Sequence, residues 1–427
     1  MENQPTPPAS SLPANWASKF FVIWSGQAFS LVGSALVQFA LVWWLTQKTG
    51  SATVLATATL VALLPQIILG PFVGTLVDRW NRRLIMIVAD TSIALVTGAL
   101  IFLFLTGLVQ VWHVYIILML RSLGGAFHGP AMSASTSLMV PDKHLARISG
   151  MNQTLQGVIN IFAPPLGALL LGLMSTGQVL FVDIGTAALA VIPLLFIAIP
   201  QPPRLIAQAN GTEKKLSYWH DLKDGYSYVI RWPGLLGVIL LAMALNFLLS
   251  PVSALTPLFI KNIFYGGPQE LAWAESVFGV GVILGGLALS VWGGFKRRIV
   301  TSFSGVLGIG VGVIIISLTP SNLFWLLLAG NLILGATQVF ANGPLFAIFQ
   351  STVAPEMQGR VFSLIGAGAA AMMPLSLLIA GPVSDWLGIR TWFLFGGILC
   401  ILMTTVAFFI PVIMNIEQNR QTQLAEV

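Results

Sequence analysis

Long apolar runs separated by short polar loops fill most of the chain, and this pattern predicts membrane-spanning helices. A helix of about 20 apolar residues crosses the hydrocarbon core of a bilayer. Twelve such runs begin near Lys19, Ser51, Leu84, Val111, Ile148, Gln178, Leu235, Leu271, Ile299, Ser321, Val361 and Thr391. The pattern therefore predicts an all-α integral membrane protein with twelve spans.

The composition supports a membrane protein and excludes several other classes. Of the 427 residues, 56% are hydrophobic and 8% are charged, too few charges to cover the surface of a soluble protein of this length. The single cysteine, Cys400, lies within an apolar run, where we expect it to pack, and it excludes a disulfide within the chain. The net charge of +6 is carried largely by short loops, as orientation signals are, so no nucleic-acid partner is expected.

The distribution of basic residues predicts that both termini are cytoplasmic. An even number of spans places both termini on one side of the membrane. The loops and ends of that side carry Lys19, Arg79, Arg82, Arg83, Lys143, Arg147, Arg204, Lys214, Lys215, Lys223, Arg231, Lys296, Arg297, Arg298, Arg360 and Arg420, whereas the other side carries Lys48, Lys261 and Arg390. Cytoplasmic loops of membrane proteins are enriched in Lys and Arg, which assigns the basic side to the cytoplasm.

A polar segment in the middle divides the chain into two halves. We expect a six-helix bundle over residues 1–200, a cytoplasmic linker with an amphipathic helix over 201–232, and a second six-helix bundle over 233–427. The halves share a short repeat, in which Gly-Pro (129–130 and 343–344) precedes a second proline at the same distance. Repeated halves place a substrate site between them, near the middle of the membrane.

Polar and small side chains recur at helical spacing on one face of several predicted spans. Packing between helices would account for each of these residues alone, but the stripes on spans 1, 4, 7 and 10 together favour a shared polar passage. Bulky soft side chains nearby suit a lipophilic ligand, with plain packing as the alternative for each. The candidate cavity residues are Gln27, Ser30, Ser34, Gln38, Trp43, Phe127, Gln156, Asn160, Met243, Asn246, Phe247, Asn331, Gln338 and Asn342.

Four ionisable residues within the spans are candidates for coupling transport to protons: Asp90, Arg121, His128 and Glu275. A charge at the bilayer centre costs at least about 2.5–3.5 kcal/mol, so each of these residues needs a reason to be there. If span 4 ends at the membrane surface, Arg121 lies about 18 Å deeper than Asp90; if its last two turns project, the gap is about 8 Å and His128 is level with Asp90.

For the other acidic residues near the span ends we expect no role in binding or proton transfer. Asp183 and Asp385, near the outer ends of their spans, are expected to be solvated.

The four histidines are scattered, and neither metal-ligand spacing nor a nucleophile elbow occurs, so we expect no enzyme activity, no cofactor and no metal site. An ATP-driven pump is excluded because there is no Walker A sequence, and a channel is disfavoured because there is no selectivity-filter segment.

The hairpin between spans 2 and 3 resembles motif A of the major facilitator superfamily. It has Gly74, then Asp78-Arg79, then Arg82-Arg83, with Asn81 where a glycine is usual; we expect this asparagine to adopt the left-handed turn that the glycine would. Arg121 with Gly125 resembles motif B. The antiporter motif of span 5 is degenerate, since glycines are usual at the positions of Ile159, Ala163 and Ala168.

A closer resemblance, to the macrolide-efflux branch of that superfamily, covers nearly the whole chain. The similar segments are residues 23–27, 49–52, 85–90, 121–131, 260–262 and 359–364. The resemblance implies two pseudo-symmetric six-helix bundles that rock around a central site. It also implies a bacterial cytoplasmic-membrane protein, expected to be a monomer among lipids, that exports macrolide-like or other amphipathic drugs in exchange for protons.

The resemblance also implies roles for particular residues. Gly74, Asp78, Arg79, Arg82 and Arg83 would form a gate that latches the cytoplasmic helix ends in the outward-open state, near the start of span 11. Asp90 or Glu275 would hold either the substrate's protonated amine or a proton. The alternatives are an exporter or flippase of a siderophore or lysophospholipid and, more distantly, a membrane receptor that does not transport.

Overall fold

The computed structural model describes residues 15–201 and 226–417, and the described part is built from helices. Two one-turn helices, Thr176–Val179 and Pro411–Met414, accompany twelve long ones. The long helices are α1 (Trp16–Thr49), α2 (Ala52–Arg79), α3 (Arg82–Leu105), α4 (Val111–Met139), α5 (Asp142–Leu173), α6 (Phe181–Phe196), α7 (Pro233–Phe264), α8 (Pro268–Trp292), α9 (Arg298–Leu318), α10 (Phe324–Thr352), α11 (Pro355–Leu387) and α12 (Ile389–Phe408).

The predicted all-α membrane fold is confirmed, with differences at helix boundaries. Eleven of the long helices in the described part are apolar and long enough to cross a membrane, α6 only together with the one-turn helix Thr176–Val179 before it; α4, which carries Arg121 and two histidines, is not among them. The helices α5 and α11 begin six residues earlier than predicted, because each starts at or just after a proline and its polar first turns hid the start. The sixth span is interrupted at Leu180.

The hairpin between α2 and α3 turns without a left-handed residue, which corrects the expectation for Asn81. Its φ is −69°, and its side chain accepts a hydrogen bond from the backbone N–H of Leu84. Asparagine therefore replaces the usual glycine as an N-cap, a position that it favours. By contrast, the α1–α2 hairpin does use a left-handed glycine, Gly50, with φ 63°.

The helix pairings repeat between the two halves of the chain. In the first half, α1 packs on α5 and α6, α4 packs on α2 and α3, and α3 also packs on α6. The second half has the same pairs six helices later, with α7 on α11 and α12, α10 on α8 and α9, and α9 on α12. Between the halves, α2 packs on α11 and α5 packs on α8. These two contacts are equivalent, because α8 in the second half corresponds to α2 in the first, and α11 corresponds to α5. The arrangement is thus two pseudo-symmetric six-helix bundles.

The predicted linker lies mostly outside the described residues. Within it, residues 226–231 are helical. Because consecutive long helices are joined by short loops and run antiparallel, alternate loops share an end of the bundle. We call the end with the α2–α3, α4–α5, α8–α9 and α10–α11 loops the basic end, and the end with the α1–α2 hairpin the opposite end.

The tight packing of α8 on α10 depends on glycines. A Cβ atom at Gly285 would collide with the backbone carbonyl of Ala336, and one at Gly335 with that of Phe278. The neighbouring Gly286 has no atom within 4 Å of such a Cβ. These helices therefore touch through their backbones on one face only.

We predict that Gly285→Ala destabilises the protein by about 1–3 kcal/mol, the usual cost of overpacking. The matched control, Gly286→Ala, should be neutral or slightly stabilising, because alanine is the better helix former and the site is open. Thermal unfolding in detergent, followed by tryptophan fluorescence, measures the difference. Equal midpoints for the two variants would contradict the close approach of α8 and α10.

Candidate functional site

A cavity of about 670 Å³ lies between the two halves. Residues of α1 and α5 line it from the first half, and residues of α7, α8, α9 and α10 from the second. Pockets for drug-sized ligands have volumes of about 300–1,000 Å³, so the cavity is large enough for one such molecule.

The wall of the cavity is apolar with neutral polar groups set into it. Most lining residues are aliphatic or aromatic, and six carry a side-chain amide: Gln38, Asn160, Asn246, Asn331, Gln338 and Asn342. Two of these amides donate one hydrogen bond to a carbonyl of their own helix, Asn246 to Ala242 and Asn331 to Leu327, each at 3.0 Å. Their amide oxygens accept no hydrogen bond from the described residues, so they are available to a ligand.

Glu275 is the only ionisable residue among the described residues that line the cavity. It lies on α8 and is half-buried, and no described group hydrogen-bonds its carboxylate. The next residue, Ser276, donates to the carbonyl oxygen of Ile161 on α5 at 3.1 Å, which fixes this part of α8 against the first half. The site therefore presents one acidic group to an otherwise uncharged space.

Outside the cavity, the first half buries an ion pair between Arg121 on α4 and Asp183 on α6. Asp183 is 1% exposed, which corrects the expectation that it is solvated. Its carboxylate also accepts hydrogen bonds from Ser34 at 3.1 Å and Thr97 at 2.9 Å. We call these four residues the arginine layer. Residue spacing missed this pair because nothing in the sequence sets the depth of α6 relative to α4.

A second buried cluster joins Asp90, Gln27 and His128, which we call the histidine layer. The amide nitrogen of Gln27 donates to Asp90 at 3.0 Å, and His128 Nε2 lies 2.7 Å from the amide oxygen of Gln27. His128 Nε2 is also 3.5 Å from an Asp90 oxygen. Of the two geometries left open by the sequence, the structure has the one in which His128 is level with Asp90.

At the opposite end, two charged residues of the second half form hydrogen bonds with the α1–α2 hairpin. Lys261 donates to the carbonyl oxygens of Thr46 and Gln47, at the end of α1. Asp385 accepts hydrogen bonds from Ser51 and from the backbone N–H groups of Ala52 and Thr53, at the start of α2, at 2.6–2.9 Å. A cation thus meets the negative end of one helix dipole and an anion the positive end of the next.

The basic end is open by comparison. The side chain of Asp78 is 72% exposed, and a Cβ atom added at Gly74 or at Gly366 would meet nothing within 4 Å. Side-chain hydrogen bonds therefore join the two halves at the opposite end, whereas the described residues around Asp78 at the basic end are exposed.

Comparison with known proteins identifies the family. The sequence matches the Major Facilitator Superfamily over residues 23–372 and 250–423. The chain belongs to this superfamily. It is 34% identical to macrolide efflux protein A of Streptococcus pyogenes, over 94% of this chain and 98% of that protein. It is 32% identical to macrolide efflux protein A of Enterococcus faecalis, over 77% of this chain and all of that protein.

A solved structure has the same fold. A bacterial homologue of the human lysosomal transporter Spinster, in an inward-facing and unoccupied conformation, superposes with a TM-score of 0.69 and 13% identity. The superposition covers 96% of this chain and 98% of that one. The major facilitator fold is thereby confirmed, and the members compared are transporters rather than enzymes.

The motif A residues of this superfamily member contact their own half. Arg82 lies 3.3 Å from Asp78 and donates to the carbonyl oxygen of Ala134 on α4 at 2.9 Å. Arg83 donates to the carbonyl oxygens of Leu194 and Leu195 at the end of α6. Asp78 itself stays exposed in this conformation, and the gating role of the motif stays a prediction.

Six of the candidate cavity residues do line the cavity, and they are the six amide-bearing residues named above. Eight others do not. Gln27 and Ser34 belong to the two polar layers, because that part of the α1 stripe faces α3, α4 and α6 instead. Ser30 and Gln156 are not part of the described lining.

The bulky candidates mostly serve packing, as the alternative interpretation held. Trp43 is 3% exposed in the core, and Phe127 stacks on Trp80 with ring centroids 6.3 Å apart. Met243 packs against Gly368, and Phe247 lies against Trp392. Aromatic residues on a helix look alike in sequence whether they face a neighbour or a ligand.

We predict that Arg121→Gln destabilises the protein by about 3–5 kcal/mol, because it leaves the buried Asp183 carboxylate without its cation. The double variant Arg121→Gln with Asp183→Asn removes both charges and should recover most of that loss. Thermal unfolding of the purified variants measures both effects. A double variant no more stable than the single one would show that the two charges do not depend on each other.

We predict that Asp385→Asn opens the opposite end, since a charge on a helix terminus contributes about 1 kcal/mol, or about fivefold in a population ratio. Spin labels on Leu108→Cys and Leu323→Cys, in exposed loops of that end, report its width by pulsed electron paramagnetic resonance. The native Cys400 is buried and should stay unlabelled.

The matched control is Glu270→Gln, which changes an acid at the same end that bonds only the start of its own helix, at Gly267. It should leave the distances unchanged. Identical distance distributions for Asp385→Asn and the parent would contradict a latch at Asp385.

Proposed function

We propose that this protein exports neutral or cationic amphipathic drugs of the macrolide type across the bacterial cytoplasmic membrane, in exchange for protons. The observation that carries the proposal is the cavity wall, which combines apolar surface and neutral amides with one carboxylate, Glu275. Such a wall suits a large lipophilic molecule with a protonated amine. The two relatives named macrolide efflux protein A support the same substrate class.

The same wall argues against the siderophore alternative. Catecholate siderophores are anionic and need cationic partners, yet no basic residue occurs among the described residues that line the cavity. Arg121, the basic residue deepest in the first half, is occupied by Asp183. No feature of the described cavity specifically favours a lysophospholipid.

Alternating access follows from the two ends of the bundle. With the basic end assigned to the cytoplasm by its Lys and Arg residues, the described conformation is closed outside and open inside. This is the state in which an exporter loads its substrate. Export then requires the contacts of Lys261 and Asp385 to break and the motif A face around Asp78 to meet the second half.

Drug susceptibility of an efflux-deficient bacterium expressing the chain tests this function. We predict protection against erythromycin, whose amine is protonated at neutral pH, and loss of most of that protection in Glu275→Gln. A macrolactone without an amine should be exported equally by both. Glu270→Gln, with its acid on the same helix but outside the cavity lining, is the control.

The outcomes test the substrate class and the role of Glu275 separately. Expression at normal levels without any change in macrolide susceptibility would exclude the macrolide class. Equal protection against erythromycin by Glu275→Gln and the parent would exclude charge pairing at Glu275, while leaving the export of uncharged molecules in place.

A further inference from the structure

The two polar layers of the first half are stacked along the same helices. Each of α1, α3 and α4 contributes one residue to each layer, seven residues apart: Gln27 and Ser34, Asp90 and Thr97, His128 and Arg121. Seven residues correspond to two helical turns, so the layers are about 10 Å apart. The histidine layer is nearer to the basic end, since Asp90 lies in the first turns of α3.

The two layers differ in charge balance. In the arginine layer, Arg121 and Asp183 neutralise each other. In the histidine layer, Asp90 is 4% exposed, and the only ionisable partner within 4 Å among the described residues is His128. A buried carboxylate is strongly disfavoured unless it is paired or protonated. The Asp90–His128 pair is neutral only when it holds one proton, on either residue.

We propose that Asp90 and His128, bridged by Gln27, form the site that binds the one proton exchanged in each transport cycle. The assignment rests on the proposed function, because it names the coupling site of the same exporter. The proton comes from water and returns to water, and no bond changes other than the N–H or O–H bond that holds it. The side chain of His128 is 12% exposed and that of Asp90 is 5% exposed, so His128 is the more accessible member of the pair.

The side-chain amide of Gln27 can hydrogen-bond to the pair whether the proton is on His128 or on Asp90. In the observed orientation, its nitrogen donates to Asp90 and its oxygen lies 2.7 Å from His128 Nε2, an arrangement that fits a ring with hydrogen on Nε2. A half-turn of the amide would let it donate to the neutral ring nitrogen and accept from a protonated Asp90. Gln27 is 2% exposed, so its amide is enclosed together with the pair.

The other charged groups around the pair are fixed or distant. The helices packed on the pair carry Arg121, Asp183, Arg82, Arg83, Asp78, Arg79, Lys19, Lys48 and His113, and the first turns of α5 carry Asp142, Lys143, His144 and Arg147. Arg121 and Asp183 are paired in the next layer, and the remaining groups lie toward the ends of their helices. None of them is within ion-pair distance of Asp90.

Coupling between proton and drug would run through α1. This helix carries Gln27 in the histidine layer, Ser34 in the arginine layer and Gln38 in the cavity wall, about 16 Å from Gln27 along the axis. Its far end is held by Lys261 of the second half. The proton and the drug therefore occupy different sites and do not compete for Glu275.

A measurement without substrate tests the site itself. The chain has four histidines, so nitrogen-15 NMR of the histidine-labelled protein in nanodiscs resolves His128, assigned by its loss in His128→Gln. We expect its ring signal to respond to pH in the parent, because His128 and Asp90 share one proton. In Asp90→Asn it should keep the neutral-ring signal throughout, because the balancing charge is gone.

The control is Ser92→Ala on the same helix, an exposed residue that bonds only the carbonyl oxygen of Val88. It should titrate like the parent. A His128 signal that does not titrate in the parent, or that titrates identically in Asp90→Asn, would overturn the site.

Transport then tests the coupling, in proteoliposomes with labelled erythromycin and an imposed pH gradient. Asp90→Asn and His128→Gln should each lose gradient-driven accumulation by about tenfold or more, within the usual range of coupling free energies, while exchange at equal pH persists. The double variant should be no worse than either single one, because all three lack the same proton.

Other outcomes of the transport experiment would contradict either the proton site or the proposed function. Full gradient-driven accumulation by either single variant, or losses that multiply in the double variant, would overturn a shared one-proton site. Failure of the parent to transport erythromycin would refute the proposed function, and the NMR titration would still decide whether Asp90 and His128 share a proton.

Discussion

A charge enclosed by helices, away from water, must be neutralised by its neighbours, and this constraint organises the first half of the protein. Arg121 and Asp183 meet it as a pair, supported by the hydroxyl groups of Ser34 and Thr97. These four residues come from α4, α6, α1 and α3, so one ion pair ties four helices together. Separating α4 from α6 would leave a charge unpaired, and moving α1 or α3 away would remove a hydrogen bond from Asp183, which is why the half is expected to move as one body.

The contacts between the halves are of a different kind. At the opposite end, Lys261 and Asp385 touch only the termini of α1 and α2, where they interact with helix dipoles in partly exposed positions. Such contacts contribute about 1 kcal/mol each and break at little cost. The contrast between a buried ion pair within a half and partly exposed polar contacts between the halves allows rocking about the cavity. The histidine layer adds a group whose neutrality depends on one proton.

Sequence reasoning predicted the fold because apolar length and helical spacing are local properties. It also found the six amides of the cavity wall, since polar stripes on facing helices point to a common space. It missed the partner of Arg121 because Asp183 is 62 residues away and the relative depth of two helices depends on packing. It overestimated Phe127 and Met243 for a similar reason, since a residue pattern does not say which neighbour a bulky side chain meets.

The most direct test of the claim that the halves move as rigid bodies is a structure of the outward-open state. Two contacts would be compared with the present structure, one within the first half and one between the halves. We predict that the Arg121–Asp183 contact is unchanged, whereas the Asp385 carboxylate, now 2.6 Å from the backbone nitrogen of Ala52, has moved beyond hydrogen-bond reach. An outward-open structure in which Asp385 still holds the start of α2, or in which Arg121 has left Asp183, would contradict the account.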